Sequence, residues 1–397
     1  MTTTISTVIN GTGVRVPSQP FPADTIEIWT SGTDYICTTD ADLHVYPPLT
    51  TPRQKITSVR SSSISISPDY FGMHVQLMAN AATALREISF DTVRSHDSGG
   101  VGGCRWHTVN PSNGVFAYAN PDAFIDTYSA AGKKVMLMLG FTPDWASATT
   151  PNTGHYDNGT TARATNQPPS NTAYWDAYVS AMVTRYLGKI QYLEIWNEVN
   201  YPSYWSGSAA QLAVLTRRAS QVAKAIDPTI KIVGPIIQEP ETGGTGAAYL
   251  ASFLTASDGA TGTGKDWIDI CGVHMYPPVY NFQVHKNQYD NVLAELTAVG
   301  KGSLDIWNTE TGVLQGTSIV DDVQAKWIKR SLALCAILGV RKYWLYAYDN
   351  TVMFMTDKDK EAYREARSVL LSGPISGCNI APDGRVAFTA NGVNYIW

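Results

Sequence analysis

The sequence predicts an α/β protein: a (β/α)8 TIM barrel with a small β-rich accessory domain built from the N- and C-terminal segments. Three observations lead there. From about residue 70 to 372, short apolar runs alternate with amphipathic stretches, the mark of repeated βα units. Eight such runs can be counted, and 397 residues exceed the ~250 of one barrel, which leaves both chain ends to build something else. Two of the runs, Tyr192-Leu193-Glu194-Ile195-Trp196-Asn197-Glu198 and Leu304-Asp305-Ile306-Trp307-Asn308-Thr309-Glu310, finish on a carboxylate, at the strand end where barrels carry their chemistry.

Residues 1–67 are rich in Thr, Ser, Pro and β-branched residues, with strand-like alternation at 25–29 and 62–67 and no helical period. Barrel strands are expected at 71–75, 92–96, 134–139, 192–196, 230–234, 270–274, 304–307 and 343–347. Helices fit at 121–131, 173–186, 209–225, 289–299 and 321–338, with 360–371 closing the ring. Asp321 is expected to cap its helix and Gly339 to stop it. The connection between the first two strands is short, so its helix carries the weakest signal. The stretch after the fifth strand, with Glu239, Glu241, Gly243 and Gly244, reads as a loop. After Gly373 come a turn at 382–385 and a hairpin of 386–388 with 393–397, too short to bury a core alone. The expected division is 1–67 and 373–397 as the two parts of one accessory domain, with 68–372 as the barrel.

An apolar content of 44% and a charged content of 16% allow a large core. A net charge of −5, a pI near 5.8 and the lack of a Lys/Arg cluster exclude nucleic acid as a partner. The five cysteines, Cys37, Cys104, Cys271, Cys335 and Cys378, show no metal-ligand spacing, and no metal or cofactor is expected. Cys271 and Cys335 read as inert buried thiols, while Cys37 and Cys378 can pair if the flanking segments meet. No run approaches ~18 consecutive apolar residues, so no membrane insertion is expected. The first residues lack the basic-then-apolar order of a secretory signal. The expected setting is still extracellular or periplasmic, with a leader removed or a phage origin, and the oligomeric state stays open.

Two carboxyl groups on separate strand ends suit cleavage of a glycosidic bond. One protonates the leaving oxygen while the other attacks the anomeric carbon or activates water. Their separation of 112 residues fits strands three βα units apart, at roughly 30 residues per unit. The 11 Trp and 21 Tyr include several in expected loops, where flat faces meet sugar rings, although core packing is the commoner role of any single Trp.

The strand ends Trp196-Asn197-Glu198, His274-Met275-Tyr276-Pro277 and Thr309-Glu310-Thr311-Gly312, with Arg94 on the second strand, resemble glycoside hydrolase clan A over about residues 70–372. The segment Arg105-Trp106-His107-Thr108-Val109-Asn110-Pro111, followed by Gly114-Val115-Phe116, is similar to family 39 or a neighbouring family 5-like group. The resemblance implies Glu198 as acid/base, Glu310 as nucleophile and a retaining double displacement. It implies that Asn197 bonds the sugar 2-hydroxyl, the alternative being a strand-end cap. Arg94 then holds Glu310 ionised, or serves a structural ion pair. Tyr276 donates to Glu310, His274 orients substrate or acid/base, and Trp344 floors the reacting subsite unless Tyr346 on the same face does. His96, Asp97, Trp145, Tyr201 and Trp205 follow strands two to four and are candidates for substrate contact. Glu194 points into the barrel, with a structural ion pair as its expected role.

Family 39 relatives act on β-xylosides, α-iduronides and bacterial exopolysaccharides, so the implied partner is a poly- or oligosaccharide. Two rivals remain open. One is an inverting hydrolase with the same acids farther apart; the other is a non-catalytic glycan-binding barrel serving as an adhesin or virion component. A binding module has no need of both Glu198 and Glu310.

Overall fold

A computed structural model describes the backbone of residues 14–17, 25–31, 34–40 and 57–60 and then residues 63–397, apart from 98–102, 241–243, 278–280, 314–320, 351–352 and 382–383. The chain begins with strands β1 (Val14–Pro17), β2 (Thr25–Ser31), β3 (Asp34–Asp40) and β4 (Thr57–Arg60). A βα series follows: β5 (Phe71–Met73), α1 (Ala81–Glu87), β6 (Thr92–Arg94), α2 (Trp106–Val109), α3 (Ala119–Ala130), β7 (Lys134–Leu139), α4 (Thr172–Arg185), β8 (Tyr192–Ile195) and α5 (Ala209–Ile226). It continues through β9 (Lys231–Val233), β10 (Ile237–Gln238), α6 (Thr245–Thr255), β11 (Ile270–His274), α7 (Phe282–Ala298), β12 (Asp305–Thr311), α8 (Asp321–Leu338), β13 (Tyr343–Leu345) and α9 (Asp357–Leu370). Strands β14 (Ile375–Ile380), β15 (Val386–Ala390) and β16 (Val393–Ile396) end it.

Strands β5 to β13 form one parallel sheet that closes on itself, β13 pairing with β5 through Tyr343–Phe71 and β9 with β11 through Val233–Ile270. This is the eight-stranded barrel, with β10 extending the fifth strand beside β11. Three of the described α-helices are capped by a side chain at their start, α4 by Asn171 among them. Ser208 and Gln211 form a capping box at the start of α5, as Thr356 and Asp359 do for α9. Gly339 stops α8 with φ 112°, a left-handed conformation that suits glycine. That helix starts at Asp321 itself, whose side chain lies outside the described residues.

Because successive residues of a strand face opposite ways, residues two apart stack inside the barrel. Met136, Tyr192, Val233, Ile236, Ile270, Trp307 and Trp344 form a separate apolar cluster there. Gly72 makes room for it, since a Cβ at that position would lie 2.6 Å from the Trp344 ring. One step further along the same faces stand His74, Arg94, Glu194 and His274, all fully buried.

The accessory part is an antiparallel sheet in the order β16-β15-β14-β4, joining residues 57–60 to the C-terminal strands, and α8 lies against it. A second antiparallel sheet, β1-β2-β3, precedes it in sequence. Several elements were not apparent from the sequence. Helix α6 follows the loop that carries Glu239 and Gly244 and is not among the expected helices; its run of small residues masks the helical period, and a Cβ at Gly246 would collide with the Gln238 carbonyl. The weak helix between the first two strands is α1, of seven residues. Strand β14 stands where the sequence predicts turn-and-strand patterning alone, and among the described residues of the alternation expected at 62–67 only Ile64 bridges, to Ile375. Cys271 and Cys335 are buried thiols as expected, and Cys378 is a buried free thiol, while the side chain of Cys37 lies outside the described residues. No helix among the described residues is long and apolar enough to cross a membrane.

Candidate active site

The C-terminal ends of the barrel strands open into a cavity of about 800 Å³ lined by Glu198, Glu310, Tyr276, His96, Asp97 and Tyr346, among others. Glu198 follows β8 and Glu310 lies on β12, so the two strand-end carboxylates of the sequence do meet. One carboxylate oxygen from each and a ring nitrogen of His274 lie within 4.8 Å of one another. Regular alternation would turn Glu310 away, since Trp307 faces inward. A register shift corrects this: Val273 pairs with Asn308 but His274 pairs with Glu310, so Thr309 is the extra residue. Such bulges re-aim side chains beside functional sites.

Arg94 organises the floor. Its Nε donates to Glu194 Oε2 at 2.5 Å, Nη1 to Glu310 Oε2 at 2.6 Å and Nη2 to Asn197 Oδ1 at 2.7 Å. Neither Arg94 nor Glu194 has any exposed side-chain surface, so each charge depends on its partners. Tyr276 donates its hydroxyl to Glu310 Oε1 at 2.6 Å. Burial and the Glu310 charge push the Tyr276 pKa well above the ordinary phenol range, which keeps that donor protonated.

The two carboxyl groups are driven in opposite directions. Burial and then the Glu310 charge raise the Glu198 pKa well above the ordinary carboxyl range. Burial works the same way on Glu310, but His274, His96 and Arg94 outweigh it and hold Glu310 well below that range. Arg94 is the permanent cation of the three, because burial drives His274 far below the usual imidazole range. The 2.8 Å contact between His274 Nδ1 and Glu198 Oε1 is therefore a hydrogen bond of a neutral ring. Gln238 also serves Glu198, its amide NH2 donating to both oxygens at 3.0 Å in the orientation that satisfies its surroundings.

His96 stands between Glu310 and Asp97, its Nδ1 3.6 Å from Glu310 Oε2 and 3.5 Å from Asp97 Oδ2, with the Tyr156 hydroxyl 3.0 Å from its Nε2. Asp97 also accepts from Arg105, from Tyr156 at 3.0 Å and from Tyr346 at 3.1 Å. Five of the non-glycine residues with left-handed backbone follow barrel strands here: Asp97, Phe141, Trp196, Glu198 and Glu239, with φ from 44° to 70°. Strain of this kind costs roughly 1–3 kcal/mol per residue and collects at functional sites.

Two of the predicted site residues lie elsewhere. Trp344 is fully buried in the lower barrel cluster against Trp307, and Tyr346, its alternative on the same face, lines the cavity instead. Trp145 donates to the Asn110 carbonyl at 2.8 Å and packs edge-on against Trp106 and Tyr174, away from the cavity lining. Trp205 packs edge-on against Trp196, whereas Tyr201 lines the cavity and donates to Glu239 at 3.2 Å. Sequence reasoning missed Gln238, Tyr156, His155 and Tyr204. The first sits on the short β10, and the others come from loops in which no periodicity singles them out.

Glu198, His274 and Glu310 are also the one group of the described residues with donor atoms spaced to share a metal ion. The Arg94 guanidinium 2.6 Å from Glu310 sets a fixed positive charge against a cation there.

No family model matches the sequence. The fold does have counterparts among solved structures. A family 39 glycoside hydrolase from Bacteroides cellulosilyticus WH2 is 16% identical over 94% of this chain and 76% of its own, with a TM-score of 0.59. A family 39 β-xylosidase from Caulobacter crescentus is 17% identical over 83% of this chain and 79% of its own, with a TM-score of 0.57. A family 39 enzyme from Xanthomonas axonopodis pv. citri is 18% identical over 82% of this chain and 72% of its own, with a TM-score of 0.58. The chain thus shares the barrel fold of these glycoside hydrolases.

Proposed function

We propose that the protein is a retaining glycoside hydrolase of clan A, nearest to family 39, cleaving a poly- or oligosaccharide of the β-xyloside or bacterial exopolysaccharide kind. The observation that carries this reading is the pair of close carboxyl groups in opposed electrostatic environments: Glu198 biased toward its acid form and Glu310 toward its carboxylate, with oxygens within 4.8 Å. Retaining enzymes hold their carboxyl groups about 5–5.5 Å apart and inverting ones roughly 6.5–9.5 Å, and the nearness of one oxygen from each group supports the retaining assignment.

In the first step Glu310 attacks the anomeric carbon, the bond to the leaving oxygen breaks, and Glu198 gives that oxygen its proton. The product is a glycosyl ester on Glu310. That ester is neutral, so the charge that raised the Glu198 pKa disappears and Glu198 becomes the stronger acid, ready to act as a base. It then takes a proton from water, whose oxygen attacks the same carbon and frees Glu310. Tyr276 and Arg94 stabilise the Glu310 carboxylate as it departs. Asn197, its carbonyl oxygen engaged by Arg94, keeps its NH2 for the sugar 2-hydroxyl, a bond that strengthens in the transition state. The reading extends to a division of the chain into a barrel of 68–372 and an accessory domain of 1–67 with 373–397, and to an extracellular or periplasmic setting, where such polymers are found.

The test is hydrolysis of aryl glycosides and exopolysaccharides by wild type, Glu198→Gln and Glu310→Gln. Turnover by wild type, loss in both variants and azide rescue of Glu198→Gln with retained configuration support the reading. Equal turnover in all three refutes the catalytic pair, and glycan binding without any turnover favours a binding module.

A further inference from the structure

The charge of the cavity wall narrows the sugar that fits it, given the reading above that the cavity holds one. Its described lining contains four carboxyl side chains, Asp97, Glu198, Glu239 and Glu310, and no lysine or arginine. The segments 98–102, 241–243, 278–280, 314–320 and 351–352, each following a barrel strand in the sequence, contain no lysine or arginine either. The two guanidinium groups nearest the carboxylates are committed. Arg94 is buried against Glu194, Glu310 and Asn197, and Arg105 pairs with Asp97 while lying over the Tyr156 ring at 3.5 Å from its centre. His155 and His274 are held below the ordinary imidazole range by burial, so neither offers a cation at neutral pH.

Asp97 and Glu239 are the members of this wall with no place in the double displacement, and Asp97 is the one linked to Glu310 through His96. Burial works to raise its pKa, but His96 and Arg105 outweigh it and hold Asp97 at about 2, so it stays ionised. Among the described residues its Oδ1 is engaged by Arg105 and Tyr156, and its Oδ2 accepts from Tyr346 at 3.1 Å and stands 3.5 Å from His96 Nδ1, beyond the length of a firm hydrogen bond. A carboxylate oxygen has room for two donors, so within this set of contacts Oδ2 can take a second one. One nitrogen of His96 lies within 3.6 Å of both Asp97 and Glu310, which sets Asp97 beside the sugar that Glu310 attacks.

We propose that Asp97 is a specificity-determining residue: it accepts a ring hydroxyl of the reacting sugar and, in a wall whose described lining has four carboxyl groups and neither lysine nor arginine, confines that sugar to uncharged or amine-bearing kinds and excludes uronic acids. A sugar carboxylate entering here loses its hydration, finds no lysine or arginine to pair with and faces like charge, with His96 already between Asp97 and Glu310, a mismatch that lowers affinity strongly.

Calorimetric titration tests this with piperidine iminosugars of gluco, galacto and manno configuration, each paired with its C6-carboxylate counterpart. The paired probes share the ring ammonium and differ only in the added carboxylate, so the neutral probe of a pair is the one whose C6 substituent is uncharged. The expected result is that the tightest neutral probe binds wild type at least about tenfold better than its carboxylate partner. Asp97→Asn should weaken the neutral probe by about tenfold or more and narrow the ratio. Equal or tighter binding of the carboxylate probe overturns the proposal, as does unchanged neutral affinity in folded Asp97→Asn, or failure of every neutral probe to bind. The wild-type comparison decides even if the variant does not fold. Hydrolysis by the glutamate pair alongside equal binding of acidic probes would remove this inference alone, whereas selective binding with no hydrolysis of any substrate would remove the catalytic reading alone.

Discussion

The barrel interior contains two layers made by the same strands, and they solve opposite problems. The lower layer, with Tyr192, Ile270, Trp307 and Trp344, is closed by apolar packing and large rings. The upper layer, two to four residues further along, sets Glu194 over Tyr192, His274 over Ile270 and Gly272, and Tyr346 over Trp344. Apolar burial is nondirectional and indifferent to pH, whereas the upper layer holds only while each buried charge has its partner. Rigidity below is thus what permits a charged, strained arrangement above.

The largest expected effects fall on the upper layer's chemistry. Glu310→Gln and Glu198→Gln should each lower kcat/KM on a hydrolysed substrate by roughly 10³–10⁴-fold with the fold intact, read by initial rates and circular dichroism. If either keeps wild-type turnover, the upper layer is no different in kind from the lower. Next come Arg94→Met and Trp344→Ala, each expected to lose about 3–5 kcal/mol in denaturant melts, one by stranding buried carboxylates and the other by opening a cavity. Their pH dependence separates the layers. Glu310, with its folded pKa lowered by neighbours that include Arg94, adds stability above its unfolded value of 4.5 that is lost as pH falls. The Arg94→Met deficit should therefore be largest above that value and shrink below it, while the Trp344→Ala deficit stays level.

Tyr276→Phe removes one hydrogen bond to a charged group and should lower kcat/KM by about 10–100-fold, with little change in melting temperature. The smallest effect is a gain. Glu198 has a raised folded pKa, so the folded state loses stability relative to the unfolded chain as pH climbs above 4.5. Glu198→Gln, which does not titrate, should then be more stable than wild type at neutral pH by about 1 kcal/mol and lose that advantage in acid.

The lower layer and the strand ends were legible because they obey a two-residue period. Tyr192 and Glu194, or Trp344 and Tyr346, announce their shared face in the sequence. Glu198 and Glu310 were found because strand position and chemistry agreed, and Arg94 because the resemblance to clan A picked it out. Trp344 misled because a large aromatic at a strand end looks the same whether it floors a cleft or plugs a barrel, and only Gly72 opposite decides. The bulge at Thr309 leaves no periodic trace, and Gln238, Tyr156 and Tyr204 depend on loop conformations that single residues do not encode. Helix α6 stayed hidden because small residues blur amphipathicity.

The bond between Arg94 and Glu310 spans 216 residues of chain. At a synthesis rate of about 5–20 residues per second, the guanidinium leaves the ribosome roughly 10–40 s before this second carboxylate, Glu194 having emerged 100 residues after Arg94. Until then the nascent barrel has an incomplete charged floor and an open sheet edge at β5, whose partner β13 emerges later still. Closure of this molecule is therefore a late event in its biosynthesis, and the half-made chain is a client for whatever shields unfinished sheets in the cell.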